Sequence, residues 1–269
     1  MLTYICYKKI KHFHFMEAKI FNQIAKDYHS KRKKPWRPLE FFLNYLKKKE
    51  YEFKGMSLDL GCANGRNFKI LANYPRKLLG VDISLEFLKI AQNDLKNSEK
   101  YQKSESNCIQ LLLADINYLP IRKNSIQNIF SIATIHHIRH KSNRKKLLSQ
   151  FNSILKTDGK LLITVWRKWQ KKFRSFFLLD GIKRIYSFKH KKQQEIDGLS
   201  QYGDKYIPWT LSEESKIFKR FYHFFSKREI KNLLKNFTIR EFKIMGGSSN
   251  NDNFFIFADK KIINGIQSS

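Results

Sequence analysis

Apolar positions in this chain fall into two rhythms. Met56 to Leu60, Leu78 to Val81, Cys108 to Ala114, Ile126 to Ala133 and Lys160 to Trp166 are short, nearly continuous apolar runs. Runs of that length predict strands buried on both faces. Between them, Arg66 to Asn73, Leu85 to Lys96 and Arg144 to Leu155 read at helical spacing, and Ser84 stands where a helix needs an N-cap. Ahead of the first strand, Glu17 to His29 puts Phe21, Ile24, Ala25 and Tyr28 on one face, and Leu39 to Lys49 reads as a second helix. Behind the last run, Ser226 precedes a helix over Lys227 to Lys235. Two further strands, Phe237 to Met245 and Asp252 to Ala258, flank the turn Gly246 to Asn251. Strand and helix alternate as in a doubly wound, mostly parallel α/β sheet with helices on both faces.

The chemistry collects where these strands end. Leu58-Asp59-Leu60-Gly61-Cys62-Ala63-Asn64-Gly65 is a strand followed by a Gly-containing turn. Such a turn brings backbone N–H groups and a helix N-terminus beside a ligand. It is not the G-x-G-x-x-G of dinucleotide binding. A carboxylate two positions before Gly61 would repel a pyrophosphate and attract a cation. Asp82 ends the second strand, at the distance where an acidic residue accepts hydrogen bonds from a ribose diol. Asp115, His136 with His137, and Trp166 end the next three strands. Each alone is also readable as an ordinary polar strand terminus. Five apt ends in order, on the edge where open α/β sheets bind ligands, predict a cofactor site. Ala63 stands out, because alanine prefers negative φ.

Charge then narrows the partner. The chain has 269 residues with 53 Lys and Arg against 23 Asp and Glu, a net charge of +30. A polyanion such as RNA is the expected partner, although lysine-biased composition gives the same excess on neutral surface positions. Arg167 to Lys192 holds ten Lys or Arg and one acidic residue, mixed with Trp169, Phe173, Phe176, Phe177, Tyr186 and Phe188. It reads as a basic insert, about 167–205, above the site. Its aromatics either stack RNA bases or face the core of a helix pair whose lysines are solvated. Three widely separated cysteines predict neither a disulfide framework nor a zinc site, and no run is long enough to span a membrane. Residues 1–15 read as an extension or a misassigned start, 16–260 as the working domain and 261–269 as a tail.

Motif I, with the acidic residue before Gly61, resembles that of the Rossmann-like S-adenosylmethionine-dependent methyltransferases. Arg32-Lys33-Lys34-Pro35-Trp36, the His136-His137 pair, Trp166, Pro208-Trp209, Arg220-Phe221-Tyr222-His223 and Asp252-Asn253-Phe254 occur in that order. Together they resemble the family of tRNA wobble-uridine methyltransferases that convert 5-carboxymethyluridine to its methyl ester, including the methyltransferase domain of the AlkB-homologue tRNA enzymes. Ala63, and Phe254 where the family usually has Trp, depart from its pattern. The resemblance implies a seven-stranded sheet completed by the closing hairpin. It implies S-adenosyl-L-methionine held by Asp59, Gly61, Ala63, Gly65, Asp82, Ile83, Asp115 and Ile116. It implies Arg32, His136, His137, Trp166 and Tyr222 on the substrate side, with Arg32 orienting the carboxylate. It further implies tRNA and a small zinc-binding activator subunit as partners, no metal in this chain, no membrane, and a cytoplasmic or nuclear setting. Two other readings stay open: a quinone or lipid-intermediate methyltransferase, and a non-catalytic RNA-binding protein on the same scaffold.

Overall fold

The apolar runs do become a sheet, in a computed structural model that describes residues 12–73, 77–98 and 108–261. Five strands, β1 (Met56–Leu60), β2 (Lys77–Asp82), β3 (Cys108–Leu113), β4 (Ile126–Ile132) and β5 (Leu155–Trp166), pair in parallel. Strands β6 (Asp204–Thr210) and β7 (Ile217–His223) form a separate antiparallel hairpin. Strands β8 (Phe237–Met245) and β9 (Asn253–Lys260) add the antiparallel edge. The result is a seven-stranded sheet in the order β3-β2-β1-β4-β5-β9-β8. The reversal between β1 and β4 opens a crevice at the strands' carboxyl ends.

Period-two alternation loads both faces. Leu161, Ile163 and Val165 of β5 pack against Leu147, Leu148 and Phe151 of α5 (Lys141–Ile154) and Ile230 of α8 (Lys227–Leu233). Leu162 of β5, with Phe255 and Phe257 of β9, faces the other way, onto Leu39, Phe42 and Leu46 of α2 (Arg37–Lys48). On that side lie also α3 (Phe68–Leu71) and α4 (Leu85–Lys96). The Ser84 hydroxyl accepts from the Phe87 N–H at 3.2 Å, the cap expected from sequence.

Two polar locks place α1 (His12–Lys31) and the β6–β7 hairpin over the crevice. The Asn22 side-chain oxygen accepts from the Ser84 hydroxyl at 2.7 Å and the Glu86 N–H at 3.2 Å, seating α1 on the start of α4. Asp27 accepts from Trp209 Nε1 at 2.7 Å, Lys31 Nζ at 2.7 Å and the Ser212 N–H at 2.8 Å. Burial works to raise the Asp27 carboxyl, but the bonds from Lys31, Ser212 and Trp209 outweigh it and hold it below the usual range. From the other side, buried His223 sits between Asp204 and Glu229, 2.7 Å from each.

Several expected boundaries move. The helix predicted over Arg66 to Asn73 shrinks to α3, because Gly65 and Phe68 close tight turns and Asn67 accepts the Trp36 N–H. β5 starts at Leu155 rather than Lys160, since a register shift at Ile126–Asn128 lets Leu155 pair with Ile126. Most of the polar stretch 97–107, the first eleven residues and the tail beyond 261 lie outside the described residues. The segment after β5 forms a helix pair, α6 (Arg174–Tyr186) and α7 (Phe188–Ile196), and meets the core-facing expectation for only part of its aromatics, since Tyr186 and Phe188 are exposed. Phe173 and Phe177 pack inward with Tyr222 and Phe224. The outward stripe of α6 is apolar at Leu178, Leu179, Ile182, Ile185 and Tyr186. The inward face instead carries Asp180, bonded to Arg184 at 2.7 Å and His190 at 2.9 Å. The inward face thus combines a buried ring, Phe177, with a buried polar cluster.

The Asp27 lock makes a stability prediction. Replacing Asp27 with Ala should remove about 1.5–3 kcal/mol, the usual value of hydrogen bonds to a charged group. Because its folded carboxyl is depressed, that stability is present above the unfolded pKa of about 4 and fades as pH falls below it. Urea unfolding of wild type and D27A at pH 7 and pH 3 checks this: the gap between them should narrow at pH 3.

Candidate active site

The turn after β1 is built on backbone conformations that most residues avoid. Gly61 has φ +74°, and a Cβ there would sit 2.4 Å from the Thr134 side chain. Ala63 also has a positive φ, +49°, so the alanine has not escaped the left-handed region. That conformation costs a non-glycine residue about 1–2 kcal/mol. It aims the Ala63 N–H at Asp82 Oδ2, 2.9 Å away. Asp82 Oδ1 accepts from the Ser84 N–H, also at 2.9 Å. One carboxylate thus ties the β1 turn to the start of α4. Burial pushes the Asp82 carboxyl up to about 6, against the N–H groups of Ser84, Ala63 and Ile83.

Beside this clasp lies a cavity of about 760 Å³, lined by both the cofactor-side and the substrate-side residues. Gly61, Ala63, Asp82, Ile83, Asp115 and Ile116 all line it. Asp115 Oδ1 accepts from the Asn117 N–H at 2.9 Å, which fixes the carboxylate at the end of β3. Two expected cofactor positions do not reach the cavity. Gly65 leaves room for the Phe68 ring, which would lie 2.5 Å from an added Cβ. Asp59 is buried beneath the turn, and burial, then the Asp82 charge, push it up to about 7 while Arg66 opposes them. The donor set suits an adenosine moiety. Asp82 has lone pairs left for ribose hydroxyls, and Asp115 with Ile116 bounds the place for a base.

The far wall is aromatic. His136 stacks on Tyr222 with centroids 4.9 Å apart and planes at 18°. Trp166 lies 4.5 Å and His137 4.4 Å from the same ring. Both histidines line the cavity. His137 Nδ1 is 2.9 Å from the Phe221 carbonyl, so that nitrogen carries the proton and donates. Burial, then the Arg220 charge, depress His137 to about 3. Burial and the neighbouring His137 drive His136 well down too, and its Nδ1 has no partner among the described residues. Two neutral imidazoles result. Tyr222 is pushed up to about 12 by burial, with Arg220 opposing, and stays a phenol.

Arg32, the cation expected on the substrate side, shares the cavity lining with a second arginine, Arg220, at a different depth. Arg32 is exposed at the rim and donates to the Lys31 carbonyl at 3.0 Å. Arg220 is buried at 8% exposure, its guanidinium 4.7 Å from the Trp209 ring and 5.2 Å from the Tyr222 ring. It makes no ion pair among the described residues. Strand alternation carried the signal: Arg220 and Tyr222 are two apart on β7 and share a face. Trp36 and Trp209 also line the cavity, while Phe254 packs in the core on Phe242. The turn before β9 contributes Asp252 and Asn253, which the motif reading did not place in the site.

Asp82 should control cofactor affinity through its protonation. Only the ionised carboxylate accepts from both a ribose hydroxyl and the backbone, so affinity for S-adenosylhomocysteine should fall as pH drops through about 6. Asp82→Asn should weaken binding about 10- to 100-fold at pH 8 and flatten that pH dependence. Calorimetric titrations at pH 5.5 and pH 8 test both statements.

The geometry agrees with comparisons to known proteins. Residues 58–163 match a family described as a methyltransferase domain. A tRNA (carboxymethyluridine(34)-5-O)-methyltransferase of Schizosaccharomyces pombe is 26% identical over 250 residues, covering 90% of this chain and 94% of that protein. An S-adenosylmethionine-dependent methyltransferase of Methanosarcina mazei superposes with TM-score 0.63 at 17% identity, over 81% of this chain and 97% of that one. A 1,6-didemethyltoxoflavin-N1-methyltransferase of Burkholderia thailandensis, solved with S-adenosylhomocysteine, superposes with TM-score 0.57 at 14% identity, over 96% of this chain and 94% of that one. Sheet order, the Asp82 clasp and these likenesses agree: the chain has the fold of the S-adenosylmethionine-dependent methyltransferases, matches a methyltransferase domain over residues 58–163, and is similar, over most of its length, to a tRNA carboxymethyluridine methyltransferase.

Proposed function

We propose that this chain transfers a methyl group from S-adenosylmethionine to the carboxylate of 5-carboxymethyluridine at the wobble position of a tRNA anticodon, forming the methyl ester. The observation that carries the reading is Arg220. A guanidinium held in a low-dielectric cavity without a carboxylate partner is costly unless the site's ligand supplies the anion. The substrate proposed here brings one. The aromatic wall of His136, Trp166 and Tyr222 supports a flipped-out base beside that cation. The net charge of +30 supports a polyanionic carrier for the base.

Bound S-adenosylmethionine supplies an electrophilic methyl on its sulfonium, which the substrate carboxylate takes with its own lone pair, so no proton has to leave. The residues of the wall fit that economy. Neutral His136 and His137 are not called on as bases. Arg220 forks onto the carboxylate and fixes its direction, and the Tyr222 phenol donates to it. Trp166 and the stacked His136 keep water from the reacting oxygen. Arg32, at the mouth, meets the incoming nucleotide. Asp82 and Asp115 orient the ribose and the base of the cofactor.

The resemblance that gives the substrate also implies a small zinc-binding activator. Such a subunit would extend one of the two open sheet edges, β3 or β8, by strand addition. The domain assigned to 16–260 then works as one unit in the compartment that holds its tRNA, the cytoplasm or nucleus.

The test is transfer of labelled methyl from S-adenosylmethionine to tRNA lacking the ester, with and without an activator subunit, followed by nucleoside analysis. The expected product is a base-labile methyl ester on 5-carboxymethyluridine; label on any other nucleoside overturns the substrate. Arg220→Gln should lower kcat/KM by about 10- to 100-fold while leaving the calorimetric affinity for S-adenosylhomocysteine unchanged. Arg32→Gln, at the exposed rim, should lower it by less than tenfold.

A further inference from the structure

The β6–β7 hairpin is a wall with two used faces. Its residues alternate sides, and the antiparallel register keeps cross-strand partners together. Ile207 and Trp209 share a face with Arg220 and Tyr222, and all four line the large cavity. On the opposite face, Tyr206 pairs with Phe221, and Pro208 with Lys219. Tyr206, Lys219 and Phe221 line a second cavity of about 380 Å³. Glu17, Phe21, His137 and Arg220 belong to both cavities, so the two open side by side.

The second cavity brings the Phe21, Tyr206 and Phe221 rings together with the cations Arg139, Lys219 and Arg220 and the Glu17 carboxylate. The Arg139 guanidinium lies 4.3 Å from the Phe221 ring centre. It is held there by bonds to Glu17 Oε1 at 3.2 Å, the Gly198 carbonyl at 3.0 Å and the Tyr206 hydroxyl at 3.0 Å. Phe21 stands edge-on to His137 at 5.2 Å and forms the partition. Lys219 is exposed, and it makes no hydrogen bond or ion pair among the described residues. Fixed aromatic faces with cations at the rim are how proteins take a base and its phosphate from a single strand.

We infer that this second cavity binds a nucleotide adjacent to the one being methylated, with the base against Phe221 and Tyr206 and its phosphate at Lys219. The inference rests on the tRNA reading and extends it: the hairpin separates two neighbouring nucleotides, one on each face. Splaying them apart exposes the target carboxylate to Arg220 and commits the anticodon strand to one register.

The test compares free 5-carboxymethyluridine nucleoside with an RNA trinucleotide that carries it between two uridines. The variants are Lys219→Glu, the charge-keeping Lys219→Arg, and Lys47→Glu on exposed α2 as a control for general charge. We expect the trinucleotide to be the better substrate. Lys219→Glu should lower its kcat/KM about tenfold and its binding salt slope by about one. Lys219→Arg should restore both, Lys47→Glu should change neither, and the nucleoside should be indifferent to all three. A 4-thiouridine placed beside the target should crosslink under ultraviolet light to a peptide from β6 or β7. Equal use of nucleoside and trinucleotide, equal loss with Lys219→Glu and Lys47→Glu, or crosslinks confined to other elements would overturn the inference. No methylation of either substrate would overturn the carboxymethyluridine reading instead, and the crosslink with Lys219→Glu binding would still decide the cavity.

Discussion

The geometry of the site hangs on one carboxylate. Asp82 holds the Ala63 N–H with one oxygen and the Ser84 N–H with the other, joining the β1 turn to the head of α4. Ser84 in turn bonds Asn22 and so seats α1. Near the other end of α1, Asp27 holds Trp209 and Ser212 of the hairpin. The hairpin then presents Arg220 and Tyr222. Three short polar links, each made by a side chain of fixed reach, carry the position of the cofactor-side carboxylate to the substrate-side cation. A directional link of this kind sets distance more tightly than apolar packing, which tolerates sliding.

Electrostatics inside and outside point in opposite directions. The surface is strongly basic, which suits long-range attraction of a polyanion. Inside the site, burial works against charge at several groups. Burial drives both histidines to the imidazole form, keeps Tyr222 a phenol and raises Asp59 and Asp82 towards neutrality. Arg220 places a buried guanidinium beside Tyr222, and Arg32, Arg66 and Lys172 also line the cavity.

The hairpin is also where ordinary strand physics becomes specificity. The two strands lie outside the main sheet, yet Phe221 on one face and Tyr222 on the other are both buried, because α1 and the His136-His137 turn pack against β7. Buried His223, Asp204 and Glu229 fix the base of the hairpin, and Asp27 fixes its tip side. Between these anchors the alternation alone decides which side chain meets which cavity.

Most of the scaffold was legible in the chain. The apolar runs of β1 to β5, the Ser84 and Ser226 caps, and the closing β8–β9 pair stand nearly where periodicity put them, because burial on both faces leaves a continuous apolar signature. Asp82, Asp115 and the His136-His137 pair were readable as strand ends for the same reason. Other features had no local signal. Ala63 at positive φ depends on the distant Asp82 carboxylate. The withdrawal of Asp59 and Gly65 from the cavity depends on how the turn stacks over Phe68. The exposed apolar stripe of α6 had none either: its inward side holds Phe177 in the core beside Asp180, which bonds Arg184 and His190. Arg220, not Arg32, became the buried cation because α1 and the hairpin meet there, residues nearly two hundred positions apart. Sequence determined which segments would be strands and helices, since that is set by nearest-neighbour spacing. Tertiary structure decided which charge is buried and which is wet, since burial is a property of what the rest of the chain brings alongside.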